Sequence, residues 1–111
     1  MWISYEPSEK QLKHLRDRLS RYGLTLEQFI ALSEGQGHVC AICGERCSKF
    51  PRLSVDHRHS DGAIRGLLCD ACNIGLGHFR DNPESLRAAI EYLEREYEWP
   101  VHPRFGGERP P

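Results

Sequence analysis

A chain of 111 residues with 39% hydrophobic residues is long enough for one domain, but it can bury only a small core. It has no apolar run of membrane-spanning length, and its N-terminus lacks the apolar stretch and cleavage site of a signal peptide, so we expect no membrane partner. A formal net charge of −1 is not that of a typical nucleic-acid-binding protein. The charge is uneven, however, because residues 38–80 carry six Lys or Arg against four Asp or Glu, and residues 81–98 carry two against six.

The N-terminal third predicts two helices, each opened by a capping box. Ser8 with Gln11 starts the first helix, which we place at about residues 8–21. Its apolar face recurs at helical spacing and consists of Leu12, Leu15, Leu19 and Tyr22. The opposite face is basic, which fits either a solvated surface or a stripe that contacts phosphates. Thr25 with Gln28 starts a shorter helix that ends near residues 35–37.

The central part predicts a hairpin followed by a third helix. Residues 53–58 alternate like a strand, Asp61 and Gly62 are typical of a turn, and residues 63–68 predict a second strand. Gly66 is expected to let this strand pack closely on the neighbouring cysteine turn. The third helix is expected at about residues 70–78.

The C-terminal part predicts one more helix and a tail. The helix, at residues 84–97, has an apolar face of Leu86, Ala89, Ile90, Leu93 and Tyr97. The end of the chain has four prolines and two glycines, which predicts an extended or disordered segment. The predicted organisation is an N-terminal helical region (1–37), a central core (38–80), a helix that packs on this core (81–98) and a tail (99–111).

Four cysteines follow the pattern C-x2-C-x25-C-x2-C, namely Cys40, Cys43, Cys69 and Cys72. Two such pairs place four thiolates around one tetrahedral Zn²⁺, whereas without metal they would be two pairs of buried thiols. Four thiolates leave no open coordination position, so we expect a structural zinc that stabilises the small core. Cys47 fits the spacing less well and is expected to be a free thiol, with an alternative ligand role left open. Without a signal peptide, we expect the chain in a reducing cytoplasm, where thiolates persist as metal ligands.

Side chains suited to catalysis lie between Cys43 and Cys69 and directly after Cys72. Asp56 and Asn73 offer oxygen donors, which suit Mg²⁺ and not zinc. His57 is a candidate general base, because imidazole ordinarily titrates near neutrality. A metal on the phosphate and a base that takes a proton from water would hydrolyse a phosphodiester bond. Strict alternation would put Asp56 and His57 on opposite faces, so a shared site requires a bulge or a strand end near His57.

The segment "VDHRHSDGAIRGLLCDACN", with "YGLT", C-x-x-C-G and the helix after "DNPESL", resembles the recombination endonuclease VII family. This family belongs to the HNH or ββα-metal (His-Me finger) nucleases. The resemblance covers about residues 22–97, where the motifs match in order and spacing. It implies a small α+β fold with a zinc-stapled ββα-metal core between N-terminal and C-terminal helices. It also implies a phage-encoded enzyme that cuts DNA with Mg²⁺ or Mn²⁺ and acts in the cytoplasm of a bacterial host.

The same resemblance implies roles for individual residues. Asp56 would bind the catalytic metal, His57 would be the general base, and Asn73 would be the second residue of the metal site. His59 matches a further family histidine, which would contact the scissile phosphate or support the site. Arg58 and Arg65 are either surface charges or phosphate anchors.

Substrate, assembly and the role of His78 stay open at this point. The family's best-known members resolve branched DNA as intertwined dimers with an additional C-terminal domain, for which this chain has no room, so nicking or double-strand cleavage is as well supported. The alternative function is a non-catalytic zinc module that binds nucleic acid or protein. The leucine faces of the first and last helices can pack on this domain or on a second copy, which leaves a homodimer open. His78 is either a partly buried helix histidine or a third metal ligand.

Overall fold

The computed structural model describes residues 7–46, 53–96 and 98–105. They form two compact units, Met1–His78 and Phe79–Pro111, which are described separately. In the described ranges, no helix is long and apolar enough to cross a membrane. The elements in chain order are α1 (Glu9–Ser20), α2 (Leu26–Gly35), β1 (Ser54–His57), β2 (Ile64–Leu68), α3 (Asp70–His78), α4 (Pro83–Glu94) and a 3-10 turn (Pro103–Phe105).

Both predicted capping boxes are present at the starts of α1 and α2. The Ser8 hydroxyl accepts from the Gln11 N–H at 3.1 Å, and the Gln11 side chain accepts from the Ser8 N–H at 2.8 Å. Thr25 and Gln28 repeat this exchange at 3.1 and 2.9 Å. Each cap satisfies N–H groups that a helix start otherwise leaves unpaired, and is worth about 1 kcal/mol.

The core of the first unit is small and joins the helices to the hairpin. Leu15 and Leu19 of α1 are almost fully buried beside Phe29 of α2 and Leu67 of β2. The remaining buried hydrophobic residues of this cluster are Leu26, Cys40, Leu53 and Leu68. Because the cluster includes Cys40, packing in the core and placement of the cysteines depend on each other.

Strands β1 and β2 form an antiparallel hairpin. In the connecting loop, Asp61 accepts from the Ala63 N–H at 3.0 Å and Gly62 has a φ of +75°, as the predicted turn requires. Helix α3 begins directly after β2 and packs on both strands. The ββα unit within a small α+β fold is therefore confirmed.

The strand pairing shifts by one residue beside His57. Asp56 pairs with Gly66 but His57 pairs with Ile64, so Arg65 is the extra residue of a bulge. The predicted irregularity is confirmed, although the bulged strand is β2. A bulge increases the local twist and re-aims neighbouring side chains.

The side chain of Gln36, just after α2, closes the outer edge of β2, and the sequence did not reveal this role. Its Nε2 donates to the carbonyl oxygens of Val39 at 2.9 Å and Leu67 at 3.0 Å, and its Oε1 accepts from the Leu67 N–H at 2.9 Å. A Cβ on Gly66 would lie 3.1 Å from this Oε1. The glycine thus permits a close approach, but of the Gln36 side chain and not of the cysteine turn that the sequence predicted.

Replacing Gln36 with Ala is expected to lower the free energy of unfolding by about 2–3 kcal/mol, since three hydrogen bonds of about 1 kcal/mol each are lost. Gln36→Glu keeps the acceptor but loses both donors, so it should be at least as destabilising. Urea unfolding of the zinc-loaded protein measures both effects. Exposed Glu34 on α2 provides the control, because Glu34→Ala should change stability by less than about 0.5 kcal/mol. Equal midpoints for all variants would show that Gln36 does not hold the strand edge.

In the second unit, α4 ends earlier than predicted. Asn82 caps its start, accepting from the Glu84 N–H at 2.9 Å, and Pro83 occupies the first turn. The helix stops at Glu94, because Arg95 takes an extended conformation (ψ 155°). The prediction to residue 97 is therefore wrong at this end, where the acidic residues oppose the helix dipole. Tyr97 lies outside the described residues, and packing of α4 on the core stays a prediction.

Candidate metal centres

The fold brings the four predicted cysteines to one point. The Sγ atoms of Cys40, Cys43, Cys69 and Cys72 all lie within 4.8 Å of one another. Two of them, from Cys43 and Cys69, are 3.8 Å apart, which matches the edge of about 3.8 Å expected for a tetrahedron with Zn–S bonds of about 2.3 Å. The four cysteines are therefore placed to bind zinc. Cys47 lies outside the described residues.

Each cysteine pair is held by its own backbone. The Ile42 N–H donates to the Cys40 sulfur at 3.4 Å, and the Cys72 N–H donates to the Cys69 sulfur at 3.4 Å. The first pair sits in a turn where Gly44 has a φ of +72°, a conformation that favours glycine. The second pair spans the junction of β2 and α3, so a metal there would fix the start of this helix.

The thiol chemistry favours a cation at this point. Burial raises the pKa of Cys40, but backbone N–H groups, first that of Cys69, outweigh this and lower its pKa to about 6. The hydrogen bond with Cys69, together with burial and the charge on Cys40, raises the pKa of Cys72 to about 12. Ionisation of one thiol thus disfavours ionisation of its neighbour. All four can be thiolates together only when a positive ion such as Zn²⁺ neutralises their charge.

Asp56 lies in the bulged part of the hairpin and is only 8% exposed. The Arg65 guanidinium binds it through two bonds, with Nε at 2.7 Å from Oδ2 and Nη2 at 3.0 Å from Oδ1. From the sequence, Asp56 was predicted to be a metal ligand, and Arg65 was separately predicted to be a phosphate anchor or a surface charge. The structure pairs these two residues with each other.

Asn73 is half-buried on α3, directly after the ligand Cys72. The Ser54 hydroxyl donates to the Asp70 carboxylate at 3.0 Å, so these two residues bring one face of β1 against one face of α3. Asp56 continues the first face, two residues after Ser54, and Asn73 continues the second, three residues after Asp70. Their oxygen donors fit Mg²⁺ or Mn²⁺ and suit zinc poorly.

His57 is the last residue of β1 and is half-buried. Its ring contacts His59, with centroids 5.1 Å apart, and Tyr22, with centroids 5.5 Å apart. Tyr22 was predicted on the apolar face of α1, but it lies in the turn after that helix. The structure thus adds an aromatic neighbour that holds the candidate base, and the contact joins parts of the chain that sequence spacing cannot relate.

The other candidate residues have separate positions. Arg58 forms a two-bond ion pair with Asp61, at 2.9 and 2.6 Å, on the exposed hairpin loop. His78 is exposed at the C-terminal end of α3, where a histidine also suits the helix dipole. The prediction that His78 is partly buried is wrong.

Comparison with known proteins finds a matching family and two similar phage proteins. The sequence profile of the family described as recombination endonuclease VII matches residues 15–95. The Gene 59 protein of Mycobacterium phage D29 is 49% identical over 78 residues, which cover 69% of this chain and 47% of that protein. The Gene 59 protein of Mycobacterium phage L5 is 47% identical over 76 residues, covering 68% and 46%. The chain therefore spans about half the length of these curated relatives.

A solved structure is also similar, that of the ββα-Me type II restriction endonuclease Hpy99I. The match has 44% sequence identity and a TM-score of 0.46, and it covers 53% of this chain and 34% of that one. The family match takes in both cysteine pairs, the hairpin and α3. This chain belongs to the recombination endonuclease VII family.

Proposed function

We propose that the chain is an HNH-type, metal-dependent DNA endonuclease that hydrolyses phosphodiester bonds with His57 as general base. The observation that carries the proposal is the Ser54–Asp70 hydrogen bond between β1 and α3, because Asp56 follows Ser54 by two residues and Asn73 follows Asp70 by three. The cysteine cluster at the junction of β2 and α3 supports this placement of the two elements. Membership in an endonuclease family adds support.

In this proposal, each element has a separate task. Zn²⁺ on the four cysteines would tie the turn of Cys40 and Cys43 to the junction of β2 and α3 and would take no part in the chemistry, because the site has no open position. Asp56 and Asn73 would hold one Mg²⁺ or Mn²⁺, which supplies electrostatic stabilisation at the phosphate. His57 takes the proton of the attacking water, while Tyr22 and His59 orient its ring. An imidazole base allows a single divalent ion to suffice.

Nicking of supercoiled plasmid tests the proposal. The zinc-loaded protein is expected to convert plasmid to open circles with Mg²⁺ or Mn²⁺ and to leave it intact with EDTA. Asp56→Asn should nick no faster than the EDTA sample, because the amide removes the charge that attracts the metal. The proposal would be rejected if the wild type and Asp56→Asn nicked plasmid at the same rate, with or without a divalent metal.

A second candidate function is a non-catalytic zinc module that binds nucleic acid or protein. The Asp56–Arg65 pair favours it, since a carboxylate with both oxygens bonded resembles a structural ion pair. Such a module would not nick plasmid DNA, whichever divalent metal is added. Cleavage that requires both Asp56 and a divalent metal would therefore exclude it.

The substrate is proposed to be DNA, contacted mainly at phosphates. A panel of linear, nicked, branched and single-stranded DNA would show whether the enzyme nicks, cuts both strands or selects branched structures, and light scattering would distinguish monomer from homodimer. Since the similar Gene 59 proteins are those of Mycobacterium phages, the cytoplasm of a bacterial host is the proposed location.

A further inference from the structure

The ion pair between Arg65 and Asp56 joins two groups that the proposed reaction needs for different partners. The Arg65 guanidinium occupies one lone pair on each oxygen of the Asp56 carboxylate, and these two lone pairs point to the same side of the carboxylate. A divalent cation on that side of the carboxylate has to displace at least one N–H. The positive charge of Arg65 also opposes a cation bound to the same carboxylate.

The two partners differ in their freedom to move. The Asp56 side chain is 11% exposed, whereas that of Arg65 is 36% exposed. Arg65 is also the extra residue of the bulge, where the strand register shifts. The carboxylate is therefore the more enclosed group, and the guanidinium has more room to turn toward solvent.

Phosphate is the natural second partner for this side chain. A guanidinium fork matches phosphate oxygens as well as it matches a carboxylate. Arg58, on the same hairpin, lies within electrostatic range of Arg65, but its charge is paired with that of Asp61, so the phosphate contact is assigned to Arg65.

We propose that Arg65 exchanges the Asp56 carboxylate for a DNA phosphate, and thereby couples binding of the divalent metal to binding of DNA. DNA draws the guanidinium away and frees the carboxylate. The metal then compensates the buried charge that Arg65 leaves behind. Because coupling is reciprocal, metal also tightens DNA binding. The inference rests on the proposed function, in which Asp56 binds the metal.

Binding of Mn²⁺, followed by the electron paramagnetic resonance signal of the free ion, tests the exchange without relying on cleavage. The proteins are zinc-loaded and carry His57→Ala, so that a short DNA duplex stays intact. DNA is expected to tighten Mn²⁺ binding by about tenfold, within the range typical of coupled sites. With Arg65→Gln added, Mn²⁺ should bind about tenfold more tightly without DNA, and DNA should add little more.

Two further variants complete the test. Arg58→Gln makes the same change at the neighbouring arginine and should leave Mn²⁺ affinity without DNA unchanged, because its partner is Asp61. Arg65→Lys keeps the charge but not the fork, so Mn²⁺ affinity without DNA should rise by a smaller factor. If Arg65→Gln melts below the working temperature, the lysine variant decides the question.

Mn²⁺ binding by these variants separates a failure of the exchange from a failure of the proposed metal site. If Arg65→Gln and Arg65→Lys bind Mn²⁺ no more tightly than the parent protein without DNA, Arg65 is a fixed structural partner and the exchange is overturned. Loss of Mn²⁺ binding by Asp56→Asn in the presence of DNA would still support the proposed metal site. If Asp56→Asn binds Mn²⁺ as the parent does, the proposed metal site itself fails, and the exchange fails with it.

Discussion

Removing zinc with a strong chelator is expected to unfold the unit that contains the hairpin. Zinc binding to four thiolates contributes on the order of 10 kcal/mol to folding, and a small domain has a total stability of about 5–15 kcal/mol. The hydrophobic cluster is small and includes the ligand Cys40, so packing alone should not hold β2 against the first cysteine turn. Far-UV circular dichroism, followed together with zinc release, measures the loss.

Two controls separate this effect from general chelation. Leaving out Mg²⁺ should keep the fold intact and stop only the cleavage, and returning Zn²⁺ should restore the spectrum. Cys47→Ser should retain zinc, since the sequence leaves this cysteine outside the set of four, whereas Cys43→Ser should lose it. An unchanged spectrum after complete zinc loss would show that the cysteine cluster does not support the fold.

Replacing His57 with Ala is expected to slow DNA cleavage by about 10²- to 10⁴-fold, the usual contribution of a general base. Zinc content and melting temperature should stay close to those of the wild type, because the ring is half-buried at a strand end. Single-turnover nicking of plasmid at saturating Mn²⁺ isolates the chemical step from DNA binding. His78→Ala is the matched control and should cleave at the wild-type rate, since His78 is exposed at the far end of α3. Equal losses in both variants would remove the special role of His57.

Features set by neighbouring residues could be predicted from the sequence. The capping boxes at Ser8 and Thr25 depend on residues three positions apart, and both are present. The spacing of the four cysteines likewise predicted their meeting point, because two short pairs restrict where each turn can lie. The bulge beside His57 followed from requiring Asp56 and His57 in one site.

Features set by contacts between distant segments could not be predicted in this way. Gln36 bonds Leu67 across 31 residues, and no local pattern distinguishes it from a polar residue at a helix end. The pairing of Arg65 with Asp56 depends on which strand carries the extra residue of the bulge. Tyr22 meets His57 because the turn after α1 packs beside the end of β1. Each of these contacts requires the tertiary fold.

Chemical rescue of His57→Gly by imidazole tests the central claim most directly, because it asks whether a base is what this position supplies. With Mn²⁺ present, the folded variant should nick plasmid very slowly. Its rate should rise with the concentration of neutral imidazole, while Asp56→Asn should gain nothing. Nicking by His57→Gly at the wild-type rate without imidazole, or no response to imidazole in the folded variant, would contradict the assignment of His57 as the general base.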